Sequence, residues 1–318
     1  MGFIKGVITA LATPFDQNGE INLDAFRTHI RLQKQAQVAG IAILGTTGEA
    51  PTLTHEERSI LIKVAKEETQ GSLHLMVGTG SYSTRSAIQM TSEAFEMGAD
   101  SALVVAPYYN KPPQEGLCRH FQEIARQSRG PIVIYNIPGR CMVNVDNSTI
   151  MQLLDEQNVA AIKECTGNVP QAQELIFKAK QKRPDVSILS GDDSGAIPLI
   201  AMGGDGLISV ASNIIPKEIV LMTTYALTSR FKEAREILAK YFPLIQSLFI
   251  KTNPIPLKCA MNMMGLMAGP VRLPLTDLSQ PLVNELKKEL ETLHLIKQHG
   301  KSQSAPQELK RELSFSRD

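Results

Sequence analysis

What the chain lacks narrows its possible tasks first. Its 318 residues carry 33 basic and 32 acidic side chains, a formal charge of +1. There is thus no charge excess to draw it to nucleic acid or to an anionic membrane. A small anionic substrate is still compatible, since one arginine suffices to hold it. Four cysteines, Cys118, Cys141, Cys165 and Cys259, show neither a CxxC pair nor metal-ligand spacing. They read as reduced thiols of a cytoplasmic protein, not as a disulfide framework. No run approaches the roughly 20 apolar residues of a membrane span. The first residues, Met1 to Val7, have no apolar core of a signal peptide, and Lys5-Gly6 stand where myristoylation of Gly2 would need a serine or threonine. No GxGxxG opens any helix. Gly78-Thr79-Gly80 lacks the third glycine, which argues against an open dinucleotide-binding sheet.

What is present is a rhythm. Hydrophobic residues make up 43% of the chain, enough for a sizeable core. Short apolar runs bounded by turn residues read as strands over Gly6–Thr13, Gly40–Leu44, Leu73–Val77, Ser101–Val105, Ile132–Tyr135, Val159–Lys163, Val186–Leu189 and Gly206–Val210. Helical stretches fall between them. Asn22 or Asp24 can cap the first, and Thr54 with Glu57 has capping-box spacing for the second. Alternating strands and helices imply a parallel sheet. Eight such units in about 210 residues suit a closed (β/α)8 TIM barrel, placed at residues 1–228. Ile215–Ser229, Phe231–Phe249, Pro254–Met264 and Pro281–Lys297 then read as helices with no strand between them, giving a C-terminal helical region at 229–298. Met261-Asn262-Met263-Met264 within it reads as packing surface. The polar tail at 299–318 is expected to be mobile, or to add a weak helix over Gln307–Leu313.

In such a barrel the working face is the C-terminal rim of the strands, and the unusual residues fall there. Thr46 and Thr47 follow the second strand, Tyr108 and Tyr109 the fourth. Tyr135 ends the fifth and Arg140 lies in its loop. Lys163 ends the sixth, Gly191 follows the seventh, and Ile208 and Ser209 lie on the eighth. Singly, each has an ordinary reading: a turn threonine, a packed tyrosine, a solvated arginine, a lysine snorkelling to water. Together they compose a chemistry. A free lysine titrates near ~10.4. Desolvation at the end of an apolar strand lowers that value and frees the amine to form an imine with a ketone. The protonated imine is an electron sink, and a nearby phenol can shuttle protons. Threonine hydroxyls can hold one carboxylate, and an arginine can clamp a second. The inferred substrates are a small 2-oxo acid and an aldehyde with an anionic end.

From Gly6 to Pro274 the chain resembles the dihydrodipicolinate synthase / N-acetylneuraminate lyase family of class I aldolases. The motifs that carry the resemblance are Gly45-Thr46-Thr47-Gly48-Glu49, Pro107-Tyr108-Tyr109-Asn110, Tyr135-Asn136-Ile137-Pro138, Ile162-Lys163-Glu164 and Gly203-Gly204-Asp205-Gly206-Leu207-Ile208-Ser209. Asn253-Pro254-Ile255-Pro256-Leu257-Lys258 and Arg272-Leu273-Pro274 match as well. The resemblance implies that Lys163 forms an imine with pyruvate, that Thr47 holds its carboxylate, and that Gly191 and Ile208 line the site. It implies a proton relay of Tyr135, Thr46 and Tyr109, with Tyr109 entering from a neighbouring subunit of a homotetramer built as a dimer of dimers. Arg140 and the Gly-Thr-Thr sequence point to the synthase branch, in which Arg140 binds the carboxylate of aspartate semialdehyde and the product, 4-hydroxy-tetrahydrodipicolinate, leads to lysine through diaminopimelate. Sister N-acetylneuraminate lyases and 2-keto-3-deoxy sugar acid aldolases are the alternative, and a non-catalytic barrel a third. No cofactor and no metal are implied, because the imine serves as the electron sink.

Two departures stand out. Cys141-Met142 replace the Thr-Gly that usually follows the arginine, so the guanidinium must find other support. Tyr82 and Ser86 stand where lysine-sensitive members carry an asparagine and a glutamate, and Arg58 where they often have histidine, although His55 and Tyr108 fit. The resemblance therefore implies weak or absent inhibition by lysine.

Overall fold

In the computed structural model of the chain, which describes residues 4–297, eight parallel strands close into one barrel in sequence order. The elements run β1 Gly6–Ala10, α1 Leu23–Gln35, β2 Gly40–Ile43, α2 His55–Thr69, β3 His74–Gly78, α3 Thr84–Glu96, β4 Ser101–Val105 and α4 Gln114–Gln127. They continue with β5 Ile132–Asn136, α5 Pro138–Cys141, α6 Asn147–Leu153, β6 Val159–Glu164, α7 Val169–Lys182, β7 Ser187–Ser190, α8 Ala196–Ala201 and β8 Gly206–Ser209. Four helices follow: α9 Pro216–Leu227, α10 Phe231–Ser247, α11 Ile255–Met263 and α12 Gln280–Thr292. Helix α9 packs on β1 and β8, and α12 packs against α10 and α11. This is the (β/α)8 TIM barrel with a C-terminal helical part that the strand rhythm predicts. The tail at 299–318 lies outside the described residues. Among the described residues no helix is long and apolar enough to cross a membrane.

The strands are buried on both faces, as parallel strands in a barrel must be. Successive residues alternate between the barrel interior and the helix layer. Ile8, Met76, Leu103, Val133, Ala161, Leu189 and Ile208 fill the interior, whereas Val104, Ile134, Ile162 and Ile188 face the helices. This alternation positions the site. Lys163 is two residues beyond Ala161 and Tyr135 two beyond Val133, so both lie on the interior face, and the β5–β6 register sets them opposite each other.

Two local differences from the sequence expectation have plain causes. Strand β1 stops at Ala10 rather than Thr13: Leu11 N still donates to Ala42 O at 2.9 Å, but Ala12 N then turns to Asn213 Oδ1 at 3.1 Å and Thr13 Oγ1 donates to Gly48 O at 2.8 Å. The ladder is exchanged for side-chain partners before Pro14, which has no N–H to give. The loop expected to carry Arg140 is instead a helical turn, α5, with Pro138 at its first position, where a missing N–H costs nothing.

One buried histidine makes the fold sensitive to acid. His120 on α4 is almost fully buried. Its Nδ1 pairs with Thr84 Oγ1 at 2.9 Å, and its Nε2 has no partner among the described residues. Burial pulls its pKa from 6.5 down to about 4. The unfolded chain takes up this proton below about pH 6.5, and the folded chain resists until about 4. The contribution is thus whole above pH 6.5 and is lost as pH falls through that window, amounting to about 3 kcal/mol. In urea titrations at pH 6.5 and 4.5, His120→Gln is expected to flatten the fall in midpoint; an unchanged slope would mean that other groups govern acid stability.

Candidate active site

At the C-terminal rim of the barrel a small cavity of about 60 Å³ is lined by Thr46, Thr47, Tyr135, Arg140, Lys163 and Gly191, together with Phe249 and Asn253 from beyond the barrel. The sequence places the first six at four strand ends, and the fold brings them to one opening. Tyr109 and Ile208 do not line it. Ile208 is part of the interior packing below, and Val210, two residues on, reaches the cavity instead. Tyr109 is 90% exposed and held at φ +71°, a backbone conformation uncommon for a side chain of its size.

Lys163 is 6% exposed. Its Nζ sits 4.0 Å from the centroid of the Tyr135 ring. Burial lowers its pKa; Cys165 and Asp193 oppose this more weakly, and Arg140 adds the smallest push downward. The net direction favours the neutral, nucleophilic amine. Tyr135 is pushed the other way. Burial raises its pKa well above 10, so the phenol holds its proton and can donate it, and the Thr46 side chain opposes the rise only weakly. Cys165 packs against the same interior cluster as this phenol, and burial pushes its thiol up to about 11.

Gly191 is small for a steric reason. A Cβ there would lie 2.0 Å from Cys165 Sγ and 2.7 Å from Lys163 Cε. Any side chain would press on the amine. Asp193, two residues on, is fully buried and tied down by Ser209 Oγ and by the main-chain N–H groups of Val210 and Ala211 at 3.0 and 3.2 Å. It fixes the turn after β8 that carries Val210 to the cavity.

Arg140 is exposed on α5 at the cavity mouth. The support expected from a threonine and glycine is supplied differently. Its Nη2 donates to the Asn253 carbonyl at 3.2 Å, while Cys141 is buried beneath. Thr47 accepts a hydrogen bond from Asn253 Nδ2 at 2.9 Å. Sequence reasoning passes over Asn253 and Phe249 because they lie in the helical region, far from any strand end. The only sequence signal is Asn253-Pro254-Ile255-Pro256, in which Pro254 precedes α11 and Pro256 sits in its first turn. Tyr82 stacks edge-on against Tyr108 with centroids 5.5 Å apart, and Arg58 Nη2 donates to Gly78 O at 2.8 Å.

Comparison with known proteins points the same way. The sequence pattern of the dihydrodipicolinate synthetase family matches residues 3–293. The chain is 45% identical over 293 residues to 4-hydroxy-tetrahydrodipicolinate synthase of Methanocaldococcus jannaschii, covering 92% of this chain and 99% of that one. Its structure superimposes with a TM-score of 0.89 on the chloride-inhibited dihydrodipicolinate synthase of Acinetobacter baumannii complexed with pyruvate, at 36% identity over 92% of this chain and all of that one. A monomeric dihydrodipicolinate synthase variant matches with a TM-score of 0.90 at 39% identity, covering 92% of this chain and 97% of that one.

Proposed function

The chain belongs to the dihydrodipicolinate synthetase family, and from that premise we propose that it condenses pyruvate with L-aspartate 4-semialdehyde to 4-hydroxy-tetrahydrodipicolinate, a lyase step towards lysine through diaminopimelate. The observation that carries this reading is the buried amine of Lys163, turned towards neutrality by its surroundings, in a cavity that also holds Tyr135, Thr47 and Arg140.

The steps follow from the placement of the groups. Lys163 Nζ adds to the pyruvate carbonyl carbon. Tyr135 delivers a proton to the departing hydroxyl, so that water leaves and the imine forms. Thr47 donates to the pyruvate carboxylate. Loss of a methyl proton gives the enamine, whose carbon attacks the aldehyde of the second substrate while Arg140 grips that substrate's carboxylate as a bidentate fork. The product ring contains the semialdehyde nitrogen, so that nitrogen must displace Lys163 and return it free. Thr46 links Tyr135 to Tyr109 as the route by which protons enter and leave.

Tyr109 serves this relay from a neighbouring subunit. Its near-complete exposure, with Tyr82 and Met142 also exposed, supports a second copy packing on this chain, within a cytoplasmic tetramer made of two such dimers. Equilibrium sedimentation would read the assembly state.

The test of function is a coupled assay with pyruvate and aspartate semialdehyde, run beside cleavage of N-acetylneuraminate and of 2-keto-3-deoxygluconate. Turnover of the first pair only is the expected result; cleavage of either sugar acid at a comparable rate would move the chain to a sister activity. In the same assay Arg140→Ala is expected to raise KM for the semialdehyde about tenfold to a hundredfold, the range set by one charge-assisted contact, while pyruvate remains trappable by borohydride. An unchanged KM would remove Arg140 from that role. With Tyr82 and Ser86 at the positions named above, inhibition by lysine is expected to be weak or absent, and half-inhibition below millimolar in a lysine titration of this assay would overturn that.

A further inference from the structure

Asn253, in the turn between α10 and α11, touches both of the cavity's anion-binding groups, and the reaction as written gives it no task. It is 5% exposed and lines the cavity. Its Nδ2 donates to Thr47 Oγ1 at 2.9 Å, and its main-chain oxygen accepts from Arg140 Nη2 at 3.2 Å. Its Oδ1 is buried with no hydrogen-bond partner among the described residues.

The direction of the first bond matters. A threonine hydroxyl has one proton and two lone pairs. With an amide N–H donating to it, the hydroxyl uses a lone pair on Asn253 and keeps its proton for an acceptor in the cavity. With an acceptor in that place, the proton would be committed to residue 253 and the substrate would face a lone pair. The second bond runs through the main chain, so one residue aligns a side chain from the β2 loop and another from α5. Asn253 comes from outside the barrel, which gives the C-terminal helices a direct part in the site.

We propose that Asn253 is a positioning residue for both carboxylates of the reaction, turning the Thr47 proton towards the 2-oxo acid and holding the Arg140 guanidinium for the aldehyde's anionic end. This rests on the roles proposed above for Thr47 and Arg140.

Asn253→Asp tests it, because the change is isosteric and leaves the main-chain bond to Arg140 in place. The introduced carboxylate reverses the Thr47 hydroxyl and adds a negative charge beside the 2-oxo acid. KM for pyruvate is expected to rise about tenfold to a hundredfold, well beyond the change in kcat or in KM for the semialdehyde. The defect is expected to shrink as pH falls, because the new carboxyl, once protonated, donates to Thr47 as the amide does. In a Thr47→Val background the part of the penalty that acts through the hydroxyl is lost and only the charge part remains, so the substitution should cost clearly less than it does beside Thr47. Equal loss for both substrates, no recovery at lower pH, or a full penalty without the hydroxyl would each mark a packing role and overturn the proposal. If Asn253→Asp fails to fold, Asn253→Ala carries the same comparison through the Thr47→Val background. Borohydride trapping of pyruvate by the unsubstituted protein separates the two levels. Absence of a Lys163 adduct there would defeat the reading of the reaction, whereas a normal adduct with the wrong Asn253 behaviour would defeat only this assignment.

Discussion

Lys163→Ala is expected to lower turnover by about a thousandfold or more, the scale at which removal of a covalent nucleophile is felt. The fold should survive, because the side chain's neighbours are apolar or already paired. The decisive readout is chemical. Pyruvate and borohydride should fix a reduced three-carbon adduct on the peptide containing Lys163 in the unsubstituted protein, and none in the variant. Lys163→Arg sharpens the point, since it restores a positive charge but not a nucleophilic lone pair, and should be as inactive as alanine. The structure also supplies an internal control. Lys258 is even more deeply buried, and burial lowers its pKa too, yet its Nζ is bound by Glu49 Oε1 at 2.8 Å and by the Pro270 carbonyl at 2.6 Å, and it does not line the cavity. Two buried lysines thus differ in whether a carboxylate holds the proton on. Adduct on Lys258, or turnover surviving without Lys163, would sink the mechanism.

The barrel and most of its rim were legible because both depend on short-range pattern. A strand buried on two faces must be a run of apolar residues, and a polar residue at its end is conspicuous, as Lys163, Tyr135 and the Thr46-Thr47 pair are. Gly191 needs the resemblance to acquire a role, and Arg140 needs it only to tie its carboxylate clamp to a named substrate. The structure then supplied what neither could. Gly191 is small because Cys165 fills the space of its Cβ, a contact made only when β6 and β7 lie side by side. Arg140 is oriented by a carbonyl 113 residues away, and Thr47 by an amide 206 residues away. Periodicity carries no information about such pairs. Ile208 shows the converse: its residue type and its strand are right, yet the alternation directs it into the interior packing and leaves Val210 at the cavity.

The same distant coupling governs the largest expected effect on stability. Glu49 closes the motif that carries Thr46 and Thr47, and a glutamate so near the cavity invites a catalytic reading. Its surroundings argue otherwise. Its side chain is fully buried and paired with Lys258, whose side chain is 2% exposed, and its Oε2 accepts the Arg272 main-chain N–H at 2.9 Å. Lys258 Nζ and the Arg272 guanidinium each lie 4.2 Å from the centroid of the Phe15 ring. This cluster fastens the threonine loop to α11. A buried ion pair contributes little compared with apolar packing of the same volume, but losing one partner strands the other charge. Lys258→Met is therefore expected to cost about 3–5 kcal/mol of folding stability, measured by denaturant titration, and Glu49→Gln somewhat less, since the amide still accepts from Arg272. Combining Lys258→Met with Glu49→Gln should recover a large part of the loss, because no unpaired charge remains. If the double variant is instead as unstable as the sum of the singles, then packing geometry rather than charge pairing holds the loop. A single-variant cost below about 1 kcal/mol, the scale of an exposed pair, would mean that water reaches the pair and that the loop carrying Thr46 and Thr47 is anchored by other contacts.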